Sequence, residues 1–304
     1  IRNRDVVGDE AIAQYLGGTL RDLADAHQMK DAVQLVQILT QKIHNRERIR
    51  IIGDYDIDGV MSSYILYRAL SRCGAHVDVA IPNRITDGYG LNLHLIEDAL
   101  ASDVDTIITC DNGIAAIEEI AYAKKHHMTV LVTDHHEIPY EEEDEQRHYL
   151  KSEADAIVNP HQKDCPYPYK DLCGAGVAWN VVRILYENMG IDAKEANELL
   201  EFVAFATVGD VMPLTGENRI LVREGLKRIH HTSNIGMMAL IAQCSLLPEQ
   251  IESYHFGFVL GPCINAAGRL DTAKRALALF QAKDVNEAAQ LANELVVLNE
   301  ERKV

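Results

Sequence analysis

The chain has 304 residues, 47% hydrophobic and 25% charged, with 29 Lys and Arg against 46 Asp and Glu for a formal net charge of −17. That composition suits one large or two smaller folded domains and excludes disorder as the main state, and no apolar run approaches the ~20 residues of a membrane-spanning helix. The acidic excess repels polyanions and argues against general nucleic-acid binding, except that carboxylates gathered around a cation count as negative in the sum while the cation offsets them.

In chain order, Arg2, Asn3, Arg4 and Asp5 stand where the apolar stretch of a secretory signal would form, so none is expected. The chain opens on Ile1 and its helical periodicity still runs at its last residues, so it reads as a piece of a longer protein at both ends. Residues 9–46 read as helices, with Ala11, Ile12, Tyr15 and Leu16 on one face and a broad apolar stripe of Ala32, Val33, Leu35, Val36, Leu39 and Ile43. A short apolar strand at 49–53 is broken by Gly53 and an acidic run. Then follow a helix at 60–73 stopped by Gly74, a strand at 76–81, a helix at 92–101, a strand at 106–109, a helix at 114–126, and strands at 129–133 and 156–158. This alternation predicts an α/β fold, a parallel sheet flanked by helices. The acidic run at 141–145 reads as an exposed loop or helix start.

Beyond Gly174 the strand signals fade, and 177–189, 193–207, 218–229 and 236–244 read as helices. A long connecting helical pattern covers 272–303, with a break near Lys283 and Asp284. The expected division is a helical segment at 1–45, an α/β catalytic domain at 46–215 and a mainly helical segment at 216–304. Cys73, Cys110, Cys165, Cys173, Cys244 and Cys263 form no CxxC pair and read as reduced, mostly buried thiols of a cytoplasmic protein.

Three predicted strands run into chemistry-bearing turns: Asp54, Asp56 and Asp58 before Gly59, then Asp111 before Asn112 and Gly113, then Asp134, His135 and His136. In an open parallel sheet such turns converge on one crevice at the C-terminal ends of the strands. Asp210 adds a carboxylate at the end of an apolar helix. So many carboxylates share a crevice only with protons or cations to offset their repulsion, and oxygen ligands with one or two imidazoles suit Mn²⁺ or Mg²⁺ rather than structural zinc. Two such ions would clamp the attacking and leaving oxygens of a phosphoryl displacement. A calcium loop starting at Asp54 would need Glu at its twelfth position, which is Ile65.

Asp134-His135-His136 with Asp54, Asp56, Asp58 and Gly59 upstream resembles the DHH phosphoesterase superfamily. The finer pattern resembles its RecJ-like branch of single-strand-specific 5′→3′ DNA exonucleases. That pattern comprises Pro82-Asn83-Arg84, Asp87-Gly88-Tyr89-Gly90-Leu91, Ile157-Val158-Asn159-Pro160 and Leu172-Cys173-Gly174-Ala175-Gly176. It continues with Gly209-Asp210-Val211, Gly216-Glu217-Asn218-Arg219, and Gly261-Pro262 followed by Asn265-Ala266-Ala267-Gly268-Arg269-Leu270.

The resemblance implies that Asp54 and Asp56 hold one metal, that Asp58, His135 and Asp210 hold the other, and that Asp111 bridges both. It implies that His136 contacts the scissile phosphate or assists the attacking water, and that Asp134 orients a neighbouring ligand. Arg84, Arg219, Arg269 and Asn265 are the candidate phosphate or DNA contacts, Arg being suited to bidentate phosphate binding, and Arg269 follows a Gly in what reads as a small-residue turn that lets a phosphate approach closely. Each of these arginines has a rival reading as a structural ion pair. Trp179 falls in a helix-period apolar run and reads as core, as do Leu291, Leu295 and Leu298. Two departures stand out: Cys263 occupies a place where the branch usually carries a basic residue, and the branch's second, glycine-rich lobe is not in this chain.

The resemblance thus implies a Mn²⁺- or Mg²⁺-dependent exonuclease releasing 5′-mononucleotides in DNA repair and recombination. Its implied partners are single-stranded DNA, a single-strand-binding protein and a repair helicase, with no membrane. The rival readings are a phosphodiesterase for short oligonucleotides or cyclic dinucleotides, and a non-catalytic replication scaffold of the same fold.

Overall fold

A computed structural model describes residues 6–84, 87–143, 146–269 and 273–303. Five short strands form its central sheet: β1 (Arg48–Ile52), β2 (His76–Ala80), β3 (Thr106–Cys110), β4 (Thr129–Thr133) and, after a separate pair, β7 (Ala156–Val158). All are rich in Val, Ile or Thr, as at Ile51-Ile52 or Ile107-Ile108, which pack well on a pleated surface. All four pairings are parallel, in the order β2-β1-β3-β4-β7, and Ile51 lies between Val79 on one side and Ile108 on the other. The central β3 is buried at every position. Because side chains alternate across a strand, Ile49, Ile51 and Ile108 face one hydrophobic layer while Ile52, Ile107 and Val130 face a second. Each fully buried Ile contributes about 1.5–3 kcal/mol.

The first layer is built by α2 (Ala32–His44), α3 (Ile57–Arg72) and α6 (Gly174–Asn188), and the second by α4 (Leu93–Ala101) and α5 (Ile117–Lys125). The apolar stripe expected on α2 is buried at Ala32, Leu35, Val36, Leu39 and Ile43. Before it lies α1 (Asp9–Gly17), with no buried residue. After α6 come α7 (Ala193–Asn197), α8 (Leu200–Gly209), α9 (Gly216–Ile229) and α10 (Ile235–Gln243). The helix expected over 193–207 is therefore two. Trp179 is buried in the core and its indole N–H donates to the Ala196 carbonyl (2.8 Å).

Two expectations change. The acidic run opens the strand β5 (Tyr140–Glu143), paired antiparallel with β6 (Gln146–Tyr149); Asp144 and Glu145 lie outside the described residues. The run itself carries no strand period; the pairing shows across the strands, where Tyr140 faces Tyr149 with ring centroids 6.0 Å apart. The small-residue segment read as a turn before Arg269 is a helix, α12 (Gly261–Arg269), entered from α11 (Ser253–His255) through a π-helical turn at Phe256–Leu260. Its glycines cost helix propensity but allow close packing: a Cβ at Gly268 would sit 2.1 Å from the Tyr55 carbonyl oxygen. The long C-terminal pattern is α13 (Ala273–Gln281) and α14 (Val285–Lys303), broken at 282–284 as the charge pattern suggests. Among the described residues all six cysteines are free thiols, and no helix is long and apolar enough to cross a membrane.

Candidate metal centre

The chain moves from β1 outward to β2 and then returns to β3 beside β1, so the β1 and β3 ends flank the point where the winding reverses. Crevices form there because successive crossovers leave to opposite faces. The turn after β1 carries Asp54, Asp56 and Asp58. Asp56 is the N-cap of α3, its Oδ1 accepting from the backbone N–H of Asp58 (2.9 Å) and Gly59 (3.0 Å). Only glycine fits at 59, since a Cβ would lie 2.4 Å from the Asp54 carbonyl oxygen. Asp58 points under the first turn of α6, where the N–H groups of Gly174 (2.6 Å) and Ala175 (2.8 Å) bind its two oxygens. A helix N-terminus suits that charge. Asp54 is fully buried, and neither of its oxygens has a hydrogen-bond partner.

Asp111 ends β3 in the left-handed region (φ 61°), a conformation that Asp tolerates better than most residues. It backs onto Gly174, where a Cβ would approach its own Cβ to 2.7 Å. The third turn delivers His135, whose Nε2 lies 3.0 Å from Asp111 Oδ1, 3.5 Å from Asp58 Oδ2 and 3.8 Å from Asp210 Oδ2. One imidazole nitrogen thus faces carboxylates from three separate elements. Asp58, His135 and Asp210 form one cluster able to hold a cation, and Asp111, His135 and His136 form another. Their oxygen-rich chemistry suits a hard divalent ion.

Asp134 does not point into this cluster. Its Oδ1 accepts from the His135 N–H (2.7 Å), the His136 N–H (3.1 Å) and His136 Nδ1 (2.7 Å), and its Oδ2 accepts from the Ile114 N–H (2.9 Å). The residue it orients is therefore His136. Asn159 donates from its side chain to the His136 carbonyl (2.9 Å) and fixes the turn from below.

The electrostatics separate these carboxylates. Burial and then Asp56 push Asp54 up to about 7. Burial and then Asp58 push Asp210 to about 7 and raise Asp56. Asp111 stands well above the usual carboxylate range, through burial and then the charges of Asp58 and Asp56. Burial would raise Asp134 too, but the His136 ring and the backbone N–H donors outweigh it and hold it low. Its partner His136 is raised, first by the hydrogen bond it donates to Asp134. A cation among Asp54, Asp56, Asp58, Asp111 and Asp210 would remove the repulsion that otherwise favours their protonation.

The candidate contact residues divide. Arg84 stacks over the Tyr55 ring (5.3 Å) and, with Asp56, Asp210 and Asn265, lines a 290 Å³ cleft beside the cluster. Asn265 Oδ1 accepts from the Ile57 N–H (3.0 Å), joining α12 to the start of α3. Arg219 is elsewhere: its guanidinium lies 3.8 Å over the Tyr15 ring and donates to the Tyr15 carbonyl, which ties α9 to α1. The motif placed it among phosphate contacts; the structure gives it a structural partner remote in sequence. Arg269 closes α12, but its side chain lies outside the described residues. The motif assigns Tyr89 no role. Its hydroxyl donates to the Asp111 carbonyl (2.9 Å) and lies 3.1 Å from His136 Nε2. Its signal in the sequence is its place between two glycines, Gly88 and Gly90, which in the structure both take positive φ.

Comparison with known proteins gives one consistent answer. The family described as DHH family, N-terminal domain, matches residues 48–207. The single-stranded-DNA-specific exonuclease RecJ of Haemophilus influenzae is 37% identical over 297 residues, 95% of this chain and 50% of that protein. The crystal structure of an exonuclease RecJ bound to manganese superposes with a TM-score of 0.80 at 32% identity, over 90% of this chain and 67% of that one. RecJ of Thermus thermophilus in complex with Mn²⁺ gives 0.77 at 31% identity, over 90% of this chain and 38% of that one. The chain spans about half the length of the curated relatives first matched.

Proposed function

The chain belongs to the DHH family, on its RecJ branch, and from that premise we propose that its crevice hydrolyses phosphodiester bonds of single-stranded DNA from the 5′ end, releasing 5′-mononucleotides. The observation that supports this most is the cluster itself: carboxylates from the start of α3 and from just beyond β3 and α8 face one imidazole, with no Lys or Arg bonded to them among the described residues, and Asp54 is buried with both oxygens unpartnered. In this reading Asp54 and Asp56 hold one divalent ion, Mn²⁺ or Mg²⁺, Asp58, His135 and Asp210 hold the second, and Asp111 serves both. When bound, the pair supplies positive charge to the phosphoryl oxygens and lowers the pKa of an attacking water.

The chain's own side chains do the rest. Asp134 fixes the His136 ring, which contacts the scissile phosphate or assists the attacking water. Arg84, at the mouth of the 290 Å³ cleft, takes a strand phosphate, with Tyr55 beneath it as a planar support. Asn265 holds the entry to α3, and with it Asp56 and Asp58, against α12. The same reading places the protein in the cytoplasm, in repair and recombination, beside a single-strand-binding protein and a helicase.

The test is product analysis with 5′-labelled single-stranded DNA and, in parallel, a dinucleotide, each with Mn²⁺ or EDTA. Metal-dependent release of labelled mononucleotide from the long strand is the expected result. Cleavage of the dinucleotide alone would replace the exonuclease reading with that of a short-substrate phosphodiesterase. Metal binding without turnover of either would remove catalysis by this chain.

A further inference from the structure

We propose that Tyr89 is a positioning residue that locks the His136 ring and the Asp111 peptide to each other across the crevice. The proposal deepens the phosphodiesterase reading and rests on it.

His136 is held at both ring nitrogens: Asp134 Oδ1 lies 2.7 Å from Nδ1, and the Tyr89 hydroxyl oxygen 3.1 Å from Nε2. A tyrosine hydroxyl has one proton to give. Here it goes to the Asp111 carbonyl at 2.9 Å, which leaves the oxygen lone pairs toward the imidazole. One hydroxyl therefore joins the end of β3 to the turn after β4. The Asp111 peptide needs such a hold, because its left-handed φ of 61° is sparsely populated by non-glycine residues.

Tyr89 is itself well anchored although its ring is half exposed. The ring meets Tyr55 edge-on (centroids 6.2 Å) and His136 edge-on (5.8 Å). Its loop is pinned to the β3 turn, where Leu91 N–H donates to Asn112 Oδ1 (3.1 Å). Asn112 in turn donates to the carbonyls of Ile52 (3.0 Å) and Cys110 (2.9 Å), at the ends of β1 and β3. A side chain placed only to fill space would not need a hydroxyl at this point.

Tyr89→Phe keeps the ring and removes only the hydroxyl. It should lower kcat about 10- to 100-fold, the range for residues that orient a ligand, with KM changed less than about twofold. In a His136→Ala background the same substitution should lower kcat by a smaller factor than in the wild type, because one of the two groups that the hydroxyl joins is gone and only its bond to the Asp111 carbonyl remains to be lost. Full kcat in Tyr89→Phe, or independent multiplication of the two effects, would overturn the proposal. A readout apart from turnover separates it from the function it rests on. In ¹⁵N–¹H spectra of the histidine rings, Tyr89→Phe should shift the His136 Nε2 resonance, and an unmoved resonance would also overturn it. If the wild-type chain hydrolyses neither substrate with Mn²⁺, the phosphodiesterase reading fails, while the spectra still decide whether Tyr89 holds His136.

Discussion

Strand β3 is preceded by Asp105 and followed by Asp111, and the two carboxylates are held in opposite ways. At the first end, Asp105 accepts from Lys42 Nζ (2.6 Å) and Thr106 Oγ1 (2.6 Å), and these bonds outweigh burial to keep it below the usual carboxylate range. Its neighbours follow suit: Lys124 pairs with Asp155 (2.6 Å), and Arg50 on β1 pairs with Asp78 (2.8 Å) and Asp98 (2.6 Å). At the second end, no Lys or Arg among the described residues bonds Asp54, Asp58, Asp111, Asp134 or Asp210, and Asp111 stands well above its usual range. At the first end of β3, where the carboxylates only support the fold, the chain provides its own cations. Where, on our proposal, an external ion is to bind, it provides none, and the metal-free protein carries the repulsion.

The sharpest way to break this comparison is Asp111→Asn. Asn tolerates the left-handed backbone, so the change removes charge and little else. Turnover should fall by more than about 100-fold, beyond what even the partners of metal ligands cost. The melting temperature in EDTA should rise, because a buried like charge is gone. A fall in that temperature would show that Asp111 stabilises the fold as Asp105 does.

A buried carboxylate away from the crevice separates burial from crowding. Glu201 accepts from Thr232 Oγ1 (2.8 Å) through one oxygen, leaves the other unpartnered, and is pushed by burial from 4.5 to about 7. Between those values the folded state binds more protons than the unfolded one, so Glu201 lowers stability as pH rises from about 4.5 to 7. Glu201→Gln keeps the Thr232 bond and should recover on the order of 2 kcal/mol at pH 8 and almost nothing at pH 4, read from urea unfolding. Mn²⁺ should leave this increment unchanged. Disappearance of the increment with metal would tie Glu201 to the crevice.

The smallest effect belongs to the paired end. Lys42→Ala removes the cation shared by Asp105 and Glu47. Asp105 is more than a third exposed, so solvent screens the pair and the loss should be about 0.5–1 kcal/mol, with turnover per folded molecule unchanged. A drop in turnover would mean that the two ends of β3 are coupled.

Much of this was legible in the sequence. The five central strands were readable because short segments of three to five residues rich in Val, Ile and Thr, alternating with helix-period stretches, have few other uses. The carboxylate and histidine turns were readable because a parallel sheet gathers its strand ends. Less legible were the elements whose local signals conflict with their surroundings. Gly261–Arg269 reads as a turn by composition, yet is a helix because Gly268 packs against the Tyr55 backbone. Glu141–Glu143 reads as solvated charge, yet pairs with β6.

What the sequence determined by itself was the α/β alternation and the identity of the ligand-bearing turns, because strand and helix periods and chain order are local properties. What only the tertiary structure decided was which of those groups meet. It set Arg219 on Tyr15 across 204 positions of chain, turned Asp134 toward His136 rather than into the cluster, and brought the Tyr89 hydroxyl between Asp111 and His136. The last two depend on backbone angles and on directed bonds a few ångströms long, and no residue period encodes either.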